Sequence, residues 1–105
     1  MQFFRFTVIL KPEKENKNLY YNVSVPALPE IATFGESINE ARFMAQDALE
    51  LVVLSRLKDG ESIHSDKKPK NIPKGAIVDE VMVTVAHQVN SAPVDYVKKV
   101  LFKTA

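Results

Sequence analysis

Hydrophobic positions along this chain change period several times, and each change marks an element. From Phe3 to Leu10 the period is two. Phe4, Phe6, Val8 and Leu10 fall on one face and Phe3, Arg5, Thr7 and Ile9 on the other, which predicts a strand with an apolar inner face. KPEKENKN, Lys11 to Asn18, is charged and contains a proline, and it reads as the exposed connector of a hairpin. Leu19 to Val25 alternates again, with Tyr21, Val23 and Val25 against Tyr20, Asn22 and Ser24. A short connector between two strands favours antiparallel pairing. Pro26 ends the second strand because it has no N–H to donate. Ile31 to Phe34 predicts a third, short strand stopped by Gly35.

The period then shifts to that of a helix. Ser37-Ile38-Asn39-Glu40 has the form of a capping box, in which the Ser37 hydroxyl takes the Glu40 N–H and the Glu40 carboxylate reaches back to the Ser37 N–H. Ile38, Ala41, Ala45, Ala48, Leu49 and Val52 form the apolar stripe. Its alanines allow a helix to lie close to a sheet. Asp59-Gly60 ends the helix near Lys58. Residues 59 to 76 are polar, rich in lysine and broken by Pro69 and Pro73, and so predict a long loop. Val78 to Val89 returns to strand alternation. In SAPVDYVKKVLFKTA, Ser91 as a cap, Pro93 in the first turn and the stripe Val94, Val97, Val100 and Leu101 predict a C-terminal helix.

The expected order is β-β-β-α-β-α, an α+β fold in which a small antiparallel sheet packs against one main helix. Tyr20, Ile9 and Phe3 share the outer face of that sheet, so a second helix or a partner is expected to cover it.

Composition bounds the function. The 105 residues make one domain with one core, residues 1–105, with residues 91–105 as a helical extension. A net charge of +1 gives no general attraction to nucleic acid or membrane. The absence of cysteine excludes disulfides, thiolate metal sites and cysteine nucleophiles. The N-terminal apolar run is too short to span a bilayer and has no cleavage site of a signal peptide, so a cytoplasmic location is expected.

Catalytic constellations are missing. His64 and His87 lack ligand partners at metal-binding spacing, and no serine sits in a G-x-S-x-G elbow. Neither of the first two predicted strands carries an acid, so they cannot build a two-metal nuclease site. No catalytic, cofactor or metal site is expected. Lys67, Lys68, Lys70 and Lys74 have no interleaved aromatic residues and read first as a solvated loop. Between Glu30 and Leu54 the charge is Glu30, Glu36, Glu40, Asp47 and Glu50 against Arg42 alone. That is either a solvated helix face or an acidic surface for a basic partner.

VSVPALPEIATFGESINEA gives these parts a joint meaning. It resembles the signature of the HicB-like antitoxin family: a strand, a P-x-L-P-G turn, a short strand, then G-x-[ST]-x-x-E-A opening an alanine-rich helix. Here the matching residues are Pro26, Leu28, Pro29, Gly35, Ser37, Glu40 and Ala41; the spacing holds without gaps from Tyr20 to about Val52, and the loop with Pro69 and Pro73 and the valine-rich strand after it fit more loosely, to about residue 89. The resemblance implies a partial RNase H-like fold without its catalytic carboxylates. It also implies an antitoxin of a type II toxin–antitoxin system, which binds a small basic HicA-type mRNA-cleaving toxin and masks its surface. Homo-oligomers are expected. DNA binding is not, because the residues after the last predicted strand are too few for a DNA-reading domain. The partner-contact candidates are the helix acids Glu36, Asp47 and Glu50, expected to be exposed, and Glu30. The alternatives are a stand-alone oligomeric domain of the same fold and a nucleic-acid-binding regulator. One position departs from the pattern: Glu30 replaces the family's glycine. If that glycine serves a left-handed backbone, Glu30 alters the turn.

Overall fold

The computed structural model describes residues 2–85. Within them lie β1 (Gln2–Glu15), β2 (Asn18–Ser24), β3 (Ala32–Gly35), α1 (Ile38–Lys58) and β4 (Ile77–Val85). The strands form one antiparallel sheet in the order β3-β2-β1-β4, and α1 packs on one face of it. The α+β class and the β-β-β-α-β order are as read from the sequence. The predicted C-terminal helix, the end of the last strand and His87 lie outside the described residues.

β1 corrects the sequence reading. It does not stop at Leu10 but runs on to Glu15, and the hairpin turn is only Asn16-Lys17. Their φ values of 51° and 72° are both positive, the signature of a type I′ turn, whose twist matches that of the flanking strands. β4 pairs with β1 only as far as Leu10, so the overhang beyond has β2 as its neighbour on one side. Ladder alternation points the Pro12 nitrogen to the side where β4 has ended, so its missing N–H breaks no ladder bond. The longer strand also carries acids, Glu13 and Glu15, where the shorter predicted strand had none.

The inner face holds the core. Phe6, Val8, Leu10, Val23, Val81 and Val83 meet Ala41, Ala45, Leu49 and Val53 of α1. Ala41 and Ala45 are fully buried, and their small side chains set how closely the helix approaches. Arg42 adds an ion pair to Asp79 of β4 at 2.7 Å.

Both helix ends are closed by side-chain and backbone groups. Ser37 is the N-cap and its Oγ accepts the Glu40 N–H at 3.0 Å. The return arm differs from the expected box: the Glu40 carboxylate accepts the N–H of Glu36, at 2.9 Å, rather than that of Ser37. At the other end Glu61 N–H reaches Arg56 O and Gly60 N–H reaches Leu57 O, with Gly60 at φ 76°. That pair of bonds is the Schellman motif.

Residues 59–76 form no helix or strand, as expected, but they are tied down. Asp66 bonds to Thr7, and Lys68 reaches Glu80, the residue opposite Thr7 on β4. The segment is therefore a strap across the outer face. There Thr7 is fully buried and Ile9 nearly so. The cover expected from a helix or a partner is supplied at this level by the chain's own strap. Phe3, 63% exposed, lies clear of it.

Candidate partner-binding surface

The proline segment is two successive turns that share one residue. Val25 O accepts Leu28 N–H and Leu28 O accepts Ile31 N–H, both at 3.0 Å. Pro26 and Pro29 each take position i+1, where their fixed φ suits a β-turn. Leu28, the shared corner, is fully buried and pins the double turn to the core. Glu30 falls at i+2 of the second turn. Among described non-glycine residues, positive φ occurs only at Asn16 and Lys17, so Glu30 keeps an ordinary backbone. This turn does not call for a glycine.

Glu30 also has a partner within the chain. Its carboxylate accepts a hydrogen bond from the Arg56 guanidinium in the last turn of α1, and that bond holds the Glu30 carboxyl below its ordinary pKa. Glu30 thus staples the double turn to the helix.

Gly35 has a different task. A Cβ placed there would lie 2.3 Å from Ala41 N and 2.7 Å from Ala41 Cα. The end of β3 and the first turn of α1 touch backbone to backbone, which only glycine permits. Gly35, Ser37, Glu40 and Ala41 form one joint: close approach, cap, return arm and buried contact.

The four candidate acids do not converge. Glu36 is exposed just before α1, while Glu30 sits with Arg56 near its end, and a rise of 1.5 Å per residue separates Ile38 from Arg56 by roughly 27 Å. Asp47 is half-buried between them. Glu50 corrects the expectation of exposure, because it is only 2% exposed. Its Oε1 accepts from Gln46 at 3.0 Å, and the same Gln46 nitrogen donates to Met82 O on β4. The β4 side of the sheet thus reaches round the helix beyond the apolar stripe. Glu50 Oε2 has no hydrogen-bond partner. Burial pushes the Glu50 carboxyl up; the Gln46 bond opposes this and the charge of Asp47 adds to it.

Sequence reasoning missed an open depression of about 750 Å³ at the hairpin end, lined by residues 15–20 with Phe34 and Glu36. Tyr20 and Phe34 meet there edge to face, with centroids 6.1 Å apart and planes at 80°. Strand register puts both rings on the outer face, since Asn22 pairs with Phe34 and Tyr20 lies two residues further along β2. Phe34 and Leu19 remain exposed. Glu15 and Glu36 flank the rings, and among the described residues neither has a cationic partner within 4 Å, although Lys17 lines the same rim. The outward alternation of Tyr20 was a usable signal. The reach of β1 to Glu15 was not. No group of three or more histidine, aspartate and glutamate side chains could hold a metal among the described residues. What this surface offers is aromatic contact and negative charge, the elements of protein recognition.

No family model and no curated protein matches the chain. Two solved structures do. The N-terminal domain of the Burkholderia pseudomallei antitoxin HicB aligns with 80% of this chain and 100% of its own, at 22% identity and a TM-score of 0.59. The Burkholderia pseudomallei antitoxin HicB aligns with 85% of this chain and 73% of its own, at 20% identity and a TM-score of 0.61. The chain has the HicB fold. The resemblance, close from residue 20 to 52 and looser to about 89, therefore holds at the level of architecture. No helix among the described residues is long and apolar enough to cross a membrane.

Proposed function

We propose that this chain is an antitoxin-like binding protein, which neutralises a small basic HicA-type mRNA-cleaving toxin by covering its surface. The observation that carries this reading is the HicB fold over four-fifths of the chain. It is supported by Glu15 and Glu36, which have no cationic partner within 4 Å among the described residues, and by the exposed Phe34 and half-buried Tyr20 at the hairpin end, which suit a basic protein partner. Of the four acids named from sequence, Glu36 is the strongest contact candidate. Glu30 is engaged by Arg56 and Glu50 is buried, so both serve the chain's own structure.

In this reading the protein acts by binding rather than by catalysis, in the cytoplasm and without a cofactor. Residues 1–105 form one HicB-like domain with a C-terminal extension at 91–105. Homo-oligomers form through surfaces that include Phe3 and Met82, exposed on the outer face to one side of the strap. Co-expression with a small basic HicA-type protein, sought first in the adjoining reading frame, tests the reading. A stable complex and relief of growth arrest are expected. Failure of both sinks the proposal.

A further inference from the structure

β1 pairs with β4 along Gln2–Leu10 but with β2 only from Ile9 to Glu15. Among the described residues, the first half of β1 therefore has no strand on its β2 side. In an antiparallel ladder the N–H and C=O of every second residue point to one side. Thr7 N–H points to this open side, and Phe3 and Arg5 share its direction. An unpaired run of this kind is a template for another chain.

A side chain from the strap fills the gap. Thr7 N–H donates to Asp66 Oδ1 at 2.8 Å, and Thr7 Oγ1 donates to Asp66 Oδ2 at 2.7 Å. The first oxygen stands where a strand carbonyl would, and the second satisfies the hydroxyl of a fully buried threonine. Lys68 lies 3.8 Å from Asp66 and 3.5 Å from Glu80, which fastens the strap on the β4 side as well. Burial pushes the Asp66 carboxyl up, but the two bonds from Thr7, the Lys67 N–H and the Lys68 charge outweigh it and hold it below its ordinary value. The carboxylate is therefore ionised at neutral pH, the form that can accept both bonds.

We propose that Asp66 is a latch: it holds the strap over the open half-edge of β1 and keeps that edge from pairing with a second copy of this chain. A second copy is the natural occupant because the half-edge includes exposed Phe3, with exposed Met82 beside it on the same face, so strand addition would extend an apolar surface. Arg5 works in the same direction. A symmetric antiparallel pairing centred on it sets two arginines opposite each other, which is unfavourable.

The test uses the full chain and the variants Asp66→Ala, Asp66→Asn and Thr7→Val. Amide exchange at Thr7, read by NMR, is expected to rise at least about tenfold in Asp66→Ala, as loss of one hydrogen bond implies. Phe6 and Val8, whose amides face β4, stay slow. Asp66→Asn keeps an acceptor and most of the protection. Thr7→Val keeps the N–H bond, preserves the fold, and exchanges only a few-fold faster. In sedimentation velocity, Asp66→Ala shows larger, concentration-dependent species than the wild type, and adding Arg5→Ala increases them. Unchanged Thr7 exchange in Asp66→Ala overturns the latch. Wild-type sedimentation of Asp66→Ala at every concentration overturns the guarding of the edge. If Asp66→Ala does not fold, Thr7→Val and Asp66→Asn decide: wild-type exchange at Thr7 in the first, or full loss of protection in the second, contradicts the proposal.

Discussion

Replacing Gly35 by alanine should cost this fold about 3 kcal/mol. The added Cβ would sit 2.3 Å from Ala41 N, 2.7 Å from Ala41 Cα and 2.8 Å from Glu40 C, where ordinary contact begins near 3.4 Å. All three are backbone atoms, so no side chain can swing away. The first turn of α1 must slide by about 1 Å, against close packing of the fully buried Ala41. Overpacking of this kind costs roughly 1–3 kcal/mol, and the upper end applies where the obstacle is backbone. Disturbing the Ser37 cap adds up to about 1 kcal/mol. The smaller freedom of alanine in the unfolded chain returns about 0.4–1 kcal/mol. For a domain of this size the net loss lowers Tm by roughly 12–24 °C. Gly60 is the internal control. Its φ is 76° and nothing lies within 4 Å of its built Cβ, so Gly60→Ala carries only the left-handed strain of about 1 kcal/mol and Gly60→Asn less. Thermal and urea unfolding followed by circular dichroism measure all three. If Gly35→Ala were as stable as Gly60→Ala, or within about 1 kcal/mol of wild type, the backbone contact would not be what requires glycine.

Further predictions concern the caps, the turns and the buried acid. Glu50 has a raised pKa in the fold, so its ionisation is opposed there. Its protonated form supports stability at low pH, and that support is lost as pH rises from the ordinary carboxylate pKa, about 4.3, through the folded value. Glu50→Gln should therefore gain in Tm relative to wild type between pH 4 and pH 8, and a pH-independent difference would contradict this. Glu30→Gly, which restores the family residue, should lower stability by at least roughly 0.5–1 kcal/mol in urea unfolding, because the turn needs no positive φ and the tie to Arg56 is lost; a gain would show that the turn does favour glycine. Lys17→Gly should raise Tm, since Lys17 holds φ 72° at the second position of a type I′ turn, and a fall would count against that turn type. Ser37→Ala should lose about 1 kcal/mol by the same assay, and no loss would mean the cap bond is replaced by water.

The elements over a core were legible because burial imposes a period. Phe6, Val8 and Leu10 alternate, and Ala41, Ala45 and Leu49 recur, because the side chains of each set face one another across the same interior. The capping box and the helix stop were legible because backbone ends need particular residues. The overhang of β1 was not. Lys11 to Glu15 has no core beneath it, so both of its faces are polar or proline and no hydrophobic period survives. Glu50 was misread because a charge beside an apolar stripe usually faces water, and only the position of β4 reveals that it does not. The strap's anchor was invisible for another reason. Asp66 and Thr7 are 59 residues apart and both polar, so neither periodicity nor spacing connects them. The proline–glycine segment was read as a unit, and the structure supplies its mechanics: two turns hinged on Leu28, then a glycine contact and a cap.

Neutralisation of a basic toxin is the function proposed for this chain. Co-expression with a small basic HicA-type protein, followed by affinity capture and size-exclusion chromatography with light scattering, tests this directly. A complex that survives the column, growth restored on induction of the antitoxin-like chain, and weaker capture with Glu36→Lys are expected. Separate elution of the two proteins with growth still arrested would contradict it.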